Sequence, residues 1–255
     1  MQLSLFPPEK PSGEKPKPVS GKMPGPALLK VSAPDQGKAP KPDPRVMMKA
    51  RLLPHLPEES IGLIIEWLIA NKVQLRISRT RSTKLGDYRS PRPGSIPKIS
   101  VNQNLNKYSF LITLVHEMAH HAVFISTGIK NSLIPGKKLR VKPHGSEWKS
   151  EYGKLIQPFL NTSIFPPEIL SILAGYFENP RASSTADQQL SRILKSFDKP
   201  NGKEILENLP ADSFFHLPDG RKFQKKEKIR TRYRCLCMKT KRVYLFNPLA
   251  EVYHL

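Results

Sequence analysis

Cysteine is almost absent from this 255-residue chain: the two that occur, Cys235 and Cys237, stand one residue apart. A bridge between them would be badly strained and neither has another partner, so no disulfide framework is expected to hold the fold. Long apolar runs are missing too. The longest, a broken stretch from Ile61 to Ala70, falls well short of the roughly 18 to 20 residues that cross a bilayer, so no membrane span is expected. The opening MQLSLFPPEK has no basic stretch ahead of an apolar one, and the expected setting is reducing and cytoplasmic. Acidic residues are the third scarcity: 21 Asp and Glu face 42 Lys and Arg, a formal charge of +21. Such an excess favours polyanionic partners, because each phosphate neutralised by Lys or Arg releases condensed counterions. Nucleic acid is one such partner, and a monomer is the expected state.

Proline, by contrast, is abundant. Of 26 prolines, eleven precede Val46, and Phe6 is the only aromatic residue among them. Residues 1–46 therefore cannot bury enough apolar surface to offset the entropy of ordering and read as a disordered Pro/Lys-rich tail. From Leu52 the pattern changes. Ile61, Ile64, Ile65, Leu68 and Ile69 repeat at helical spacing, and Val73, Leu75 and Ile77 then alternate with polar residues as in a half-buried strand. A second strand is expected around Ile96 to Val101. A helix follows from Asn106, with Phe110, Leu111, Leu114, Val115, Met118, Ala122 and Val123 on one face and Gly128 placed to end it. Beyond His144, Trp148, Tyr152, Leu155, Ile156 and Phe159 share the face of another helix. The expected class is α+β. A small domain of three helices and a short sheet spans 47–162, a helical connector 163–210, and a small basic β-rich subdomain 211–255.

The chemistry is concentrated in His116-Glu117-Met118-Ala119-His120, an H-E-x-x-H pattern inside a segment already read as helix. Residues four apart on a helix differ by about 40° in direction and about 6 Å along the axis, so the two imidazoles can converge on one ion. Zinc is the expected ion, since two imidazoles half fill a tetrahedral site that a third ligand and water complete. Glu117, about 100° round the helix, can lie beside that water without binding the ion and act as general base. A metzincin continuation would need Gly at position 123 and His at 126, where this chain has Val123 and Ser126. His144 is the expected third ligand, 24 residues after His120, with Glu147 and Glu151 as rivals on the same following helix. His121 points away from the pair and reads as a surface or supporting residue.

The segment His116-Glu117-Met118-Ala119-His120, followed by His144-Gly145-Ser146-Glu147-Trp148, resembles the SprT-like metalloprotease family. Upstream, Arg81-Ser82-Thr83-Lys84-Leu85-Gly86-Asp87-Tyr88 resembles the family's basic, Leu-Gly-containing strand turn, and Ile99-Ser100-Val101-Asn102 its following strand. The resemblance covers residues 47–162. It implies a zincin-like protease fold in which His116, His120 and His144 bind zinc and Glu117 activates water, with protein substrates trapped on DNA. The chain departs from the pattern in its longer stretch between His120 and His144. It departs again in keeping only Cys235-Leu236-Cys237 where many members end in a zinc ribbon with two cysteine pairs.

Near the C-terminus, strand alternation in Ile229-Arg230-Thr231-Arg232-Tyr233-Arg234-Cys235 would put Arg230, Arg232 and Arg234 in one row. With Lys225, Lys226, Lys228, Lys241 and Arg242 nearby, this reads as a phosphate-binding surface, while Tyr233 and Tyr244 are expected to pack within the β unit. Two functions follow from these readings. One is a zinc endopeptidase acting on DNA-bound protein; the alternative is a nucleic-acid-binding protein whose zincin-like domain is inactive.

Overall fold

A computed structural model describes residues 43–81, 83–133, 141–178 and 187–255. Most of the expected Pro/Lys tail, residues 1–42, lies outside these ranges. Its predicted end needs correcting, because α1 already spans Pro44–Leu52. The cause is local. Asp43 caps the helix, its carboxylate accepting from the Arg45 N–H at 2.8 Å, and Pro44 sits at the first helical position, where its missing N–H costs nothing.

Helix α2 (Glu58–Ala70) buries Ile61, Ile64, Ile65 and Leu68, the face read from the sequence. Strand β1 (Gln74–Ser78) runs parallel to β3 (Lys98–Asn102), and β2 (Gly86–Arg89) lies antiparallel on the other side of β3. The sequence reading had only two of these strands. Helix α3 (Lys107–Leu133) begins at Asn106, whose side-chain oxygen accepts from the Ser109 N–H at 2.9 Å. It runs through Gly128 instead of stopping there. A lone glycine weakens a helix by about 1 kcal/mol without ending it; α3 ends two residues before Pro135, a position that disfavours helix in the residue preceding it. Helix α4 (Ser146–Ile156) follows and turns Trp148, Tyr152 and Ile156 onto α3.

Where three helices were expected in the 47–162 domain there are four, because of α1; two more follow in the stretch read as helical, six α-helices among the described residues. Helices α5 (Pro167–Glu178) and α6 (Gln188–Lys195) occupy the stretch read as a connector, yet Ile169, Leu173, Tyr176, Leu190 and Leu194 join the same core as α1 to α4. Asn106 fixes this packing, donating to the Leu194 carbonyl at 2.8 Å and to Asp198 at 2.6 Å.

A second sheet has the strand order β4-β9-β5-β6-β7-β8. These strands are β4 (Glu204–Ile205), β5 (Phe214–His216), β6 (Lys222–Ile229), β7 (Arg232–Cys237), β8 (Val243–Phe246) and β9 (Glu251–His254). Its core gathers Leu206, Leu209, Phe215, Phe223, Cys235, Cys237 and Val252, so the β unit begins before residue 211. Arg192 on α6 pairs with Glu207 through two hydrogen bonds of 2.7 and 3.0 Å, and Lys195 pairs with Glu251, joining α6 to this sheet. Among the described residues no helix is long and apolar enough to cross a membrane.

Candidate metal centre

His116 and His120 project from one face of α3 because they are one turn apart. His144 reaches them from a different kind of support. The Gly145 N–H donates to the Lys142 carbonyl at 3.0 Å, closing a turn with Pro143 second and His144 third. His144 takes φ +57 there, the left-handed value that distinguishes a type II turn from a type I turn at its third place. Trp148, one turn into α4, packs beneath all three imidazoles, with ring centroids 4.6, 5.7 and 4.7 Å from His116, His120 and His144.

The three Nε2 atoms stand 3.2 Å (His116 to His120), 3.0 Å (His120 to His144) and 3.1 Å (His144 to His116) apart. They form the only His/Cys/Asp/Glu grouping of three or more, among the described residues, with atoms close enough to hold a metal ion. Their chemistry fits one. A tetrahedral ion bound at about 2.0 to 2.1 Å spaces its nitrogen ligands about 3.3 Å apart. Burial, then repulsion from His120 and His144, pushes the His116 pKa down to about 3. Burial, then His144, pushes His120 down to about 4, and burial lowers His144. All three rings are thus neutral at pH 7 and offer lone pairs, the form that binds metal. The rival ligands do not reach the group. Glu147 is exposed with its carboxylate on the Ser146 hydroxyl, and Glu151 pairs with Lys154.

Glu117 is 7% exposed and lines the same cleft of about 420 Å³ as the three histidines. Burial, and then the nearby Asp87 carboxylate, pushes its pKa up to about 7. The Tyr88 backbone N–H donates to it and, with Arg81 and Lys84, opposes that rise. The approach of β2 to α3 is close enough to need a glycine: a Cβ on Gly86 would stand 2.5 Å from Glu117 Oε1 and 2.8 Å from both Glu117 Cγ and Thr113 Cγ2. Sequence reasoning named Glu117 and missed its clamp. The signal was the Gly86-Asp87-Tyr88 run, read there as part of a turn.

His121 is buried, 2% exposed, with Nδ1 3.2 Å from the Tyr88 hydroxyl and its ring edge-on to Trp67. It therefore braces β2 against α3 from outside the metal group, so its reading as a surface residue is corrected and its reading as a supporting residue stands.

The basic row expected near the C-terminus does not form as drawn. Arg230 lies in the two-residue turn between β6 and β7, at φ +47, so only Arg232 and Arg234 share a strand face. Arg234 pairs with Glu227 at 2.9 Å, and Lys226 with Asp212 at 2.6 Å. Lys225 is buried, 4% exposed, and donates to the carbonyls of Leu209 and Glu207 while lying over the Tyr233 ring. Alternation turns Lys225 inward, since it stands two residues from the buried Phe223 and opposite the buried Cys235; the register shifts at a β-bulge only after it, between Lys225 and Lys228. Lys228, Arg230, Arg232, Lys241 and Arg242 remain exposed around the hairpin and the following turn. Tyr244 packs on Phe223, and Cys235 and Cys237 face the second core.

No family model, curated protein or solved structure matches the chain.

Proposed function

We propose that the chain is a zinc-dependent endopeptidase of SprT-like type that cleaves proteins bound or crosslinked to DNA. One observation carries this reading: the Nε2 atoms of His116, His120 and His144 converge within 3.2 Å of one another while the Glu117 carboxylate lines the same open cleft. Neutral imidazoles accept several transition metals; zinc suits a hydrolase because it is redox-inert and three protein nitrogens leave it a free position. Zinc held there supplies Lewis-acid polarisation of the scissile carbonyl and lowers the pKa of water.

The chain's own groups supply the remainder. Glu117 takes a proton from the attacking water and returns it to the amine nitrogen as the peptide C–N bond breaks. Burial in the cleft, and then the Asp87 carboxylate, raises the proton affinity of Glu117, the direction that helps a carboxylate accept the proton before handing it on. Strand β2 positions substrate. Asn102 N–H donates to the Leu85 carbonyl, so Leu85 and Asp87 direct their main chain to β3, and Gly86 and Tyr88 direct theirs to the cleft. An extended peptide can therefore lie along this edge as an added strand, its backbone held next to the three histidines. On that edge the Tyr88 N–H donates to Glu117, which sets the carboxylate beside the backbone of a peptide lying there.

The test is cleavage of a basic protein bound to single-stranded DNA by the zinc-loaded chain. Wild type should cut it, and Glu117→Gln should keep one zinc per chain and cut nothing. A wild-type protein that leaves both the DNA-bound protein and itself intact would falsify the endopeptidase reading and leave nucleic-acid binding alone.

A further inference from the structure

The three-stranded sheet turns one face into the core. Leu75, Ile99 and Val101 point into the core beneath α3. Alternation sends their neighbours to the opposite face, where the register aligns Gln74, Lys98 and Arg89 in one cross-strand row and Arg76, Ser100 and Asp87 in the next. A cleft of about 660 Å³ runs over this face and continues along the loop after β1, past Arg79 and Arg81.

The charge on it is one-sided. Arg76, Arg79, Arg81, Arg89 and Lys98 border the cleft with a single acid, Asp87, which is already bonded to Lys84 at 2.7 Å and Arg89 at 2.9 Å. Arg81 is fixed in place, its guanidinium donating to Asn102 Oδ1 at 2.8 Å and to the Ser100 hydroxyl at 3.2 Å. Among the described residues Arg76, Arg79 and Lys98 make no ion pair. Held cations interleaved with hydroxyl groups are the donor set that grips phosphate oxygens. Among the described residues no aromatic ring borders the cleft, so these residues offer nothing on which to stack a base and would read backbone alone.

We propose that this outer sheet face binds the phosphodiester backbone of nucleic acid. The inference deepens the proposed function and rests on it for the meaning of the placement. Asp87 borders both this cleft and the one holding the three histidines, so a single strand, β2, divides them. A protein tethered to a nucleic-acid strand on the outer face would be carried to the rim of the hydrolytic cleft. The β6–β7 hairpin is the competitor: Lys225, Lys226 and Arg234 are engaged within the protein, and its exposed Lys228, Arg230, Arg232, Lys241 and Arg242 are spread over the hairpin and the following turn, whereas the sheet-face cations border one cleft.

The experiment measures binding of a labelled oligothymidine to the full chain by fluorescence anisotropy, across roughly 50 to 200 mM salt. In Arg76→Glu/Arg79→Glu/Lys98→Glu the plot of log affinity against log salt should become shallower by about 2, three contacts at about 0.7 each. Over that fourfold rise in salt the wild type would then lose about 16-fold more affinity than the variant. Arg79→Glu alone, in an exposed loop, should change the slope by about 0.7 and serves if the triple variant does not fold. Wild-type affinity and slope in these variants would overturn the proposal. So would flattening seen only in Arg230→Glu/Arg232→Glu/Arg242→Glu, or polyglutamate competing as strongly as oligothymidine, which would make the ligand an acidic protein. The measurement needs no cleavage and can be made in the Glu117→Gln chain, so failure of the endopeptidase reading and failure of this one are told apart.

Discussion

Adding one methyl group at Gly86 probes the packing of β2 on Glu117 directly. In Gly86→Ala the new carbon would sit 2.5 Å from Glu117 Oε1, 2.8 Å from Glu117 Cγ and 2.8 Å from Thr113 Cγ2. Overpacking of this kind costs about 1 to 3 kcal/mol when the neighbours are rigid. Here the nearest atom is the end of a side chain that can rotate, so Glu117 should swing away and the cost should stay near about 1 kcal/mol, about 2 to 4 °C in Tm. Activity should fall much further, by the roughly 10²- to 10⁴-fold that a general base contributes. Zinc affinity should be unchanged, because no histidine of the metal group is among the three nearest atoms. Thr113→Ser added to Gly86→Ala removes the Cγ2 contact alone; it should recover part of the melting temperature and little of the activity. Thermal melts, a zinc titration and peptide-cleavage rates on the same preparations decide the matter. Wild-type turnover in Gly86→Ala, or a loss of zinc parallel to the loss of activity, would refute the placement of Glu117 against β2.

Other outcomes follow from the same geometry. His144→Ala should lower zinc affinity by more than the roughly 10- to 100-fold typical of losing a group that merely orients a ligand, measured by competition with a chromogenic chelator; an unchanged affinity would remove His144 from the ligand set. In the chelator-treated protein, Glu117 has a pKa raised from 4.5 to about 7, so its stabilising contribution is complete below pH 4.5 and is lost as pH rises through about 7. Glu117→Gln should therefore gain stability relative to wild type across that window, levelling near about 3 kcal/mol at 1.4 kcal/mol per unit; denaturant midpoints that run parallel from pH 4 to 8 would contradict it. Lys225→Met should cost about 1 to 3 kcal/mol by leaving the carbonyls of Leu209 and Glu207 unpaired, with oligothymidine affinity unaltered; weakened binding with an unchanged melting temperature would return Lys225 to the nucleic-acid surface.

Elements whose residues repeat at a period of 3.6 or 2 were legible in the sequence. The isoleucines of α2, the alternation in β1 and the Trp148–Tyr152 face of α4 all stand where their spacing put them. So does the metal group, since a four-residue spacing on a helix fixes two imidazoles before any tertiary contact is known, and His144 joins them. Segments whose structure depends on partners far along the chain were not legible. Strand β2, Gly86-Asp87-Tyr88-Arg89, has little strand propensity of its own and exists because it pairs with β3 and meets Glu117. The same holds for Lys225: alternation from Phe223 puts it on the core side of β6, and only the carbonyls of Leu209 and Glu207 that it meets there explain a buried lysine. Helix α1 was hidden by the prolines before it, one of which is its first residue.

The manner in which His144 is held bears on how much the rest of the chain can vary. Its ring is aimed by four consecutive residues, Lys142 to Gly145, and by the indole of Trp148 just beyond them. Nothing in that local bracket measures the distance back to His120. Residues can therefore be inserted or deleted upstream of Lys142 without re-aiming the imidazole, provided Pro143-His144-Gly145 arrives intact at the head of α4. Sequence length between the two halves of the ligand set is in this sense free to drift, provided the change falls after α3, whose His121 braces β2 and whose Val123 packs on the core.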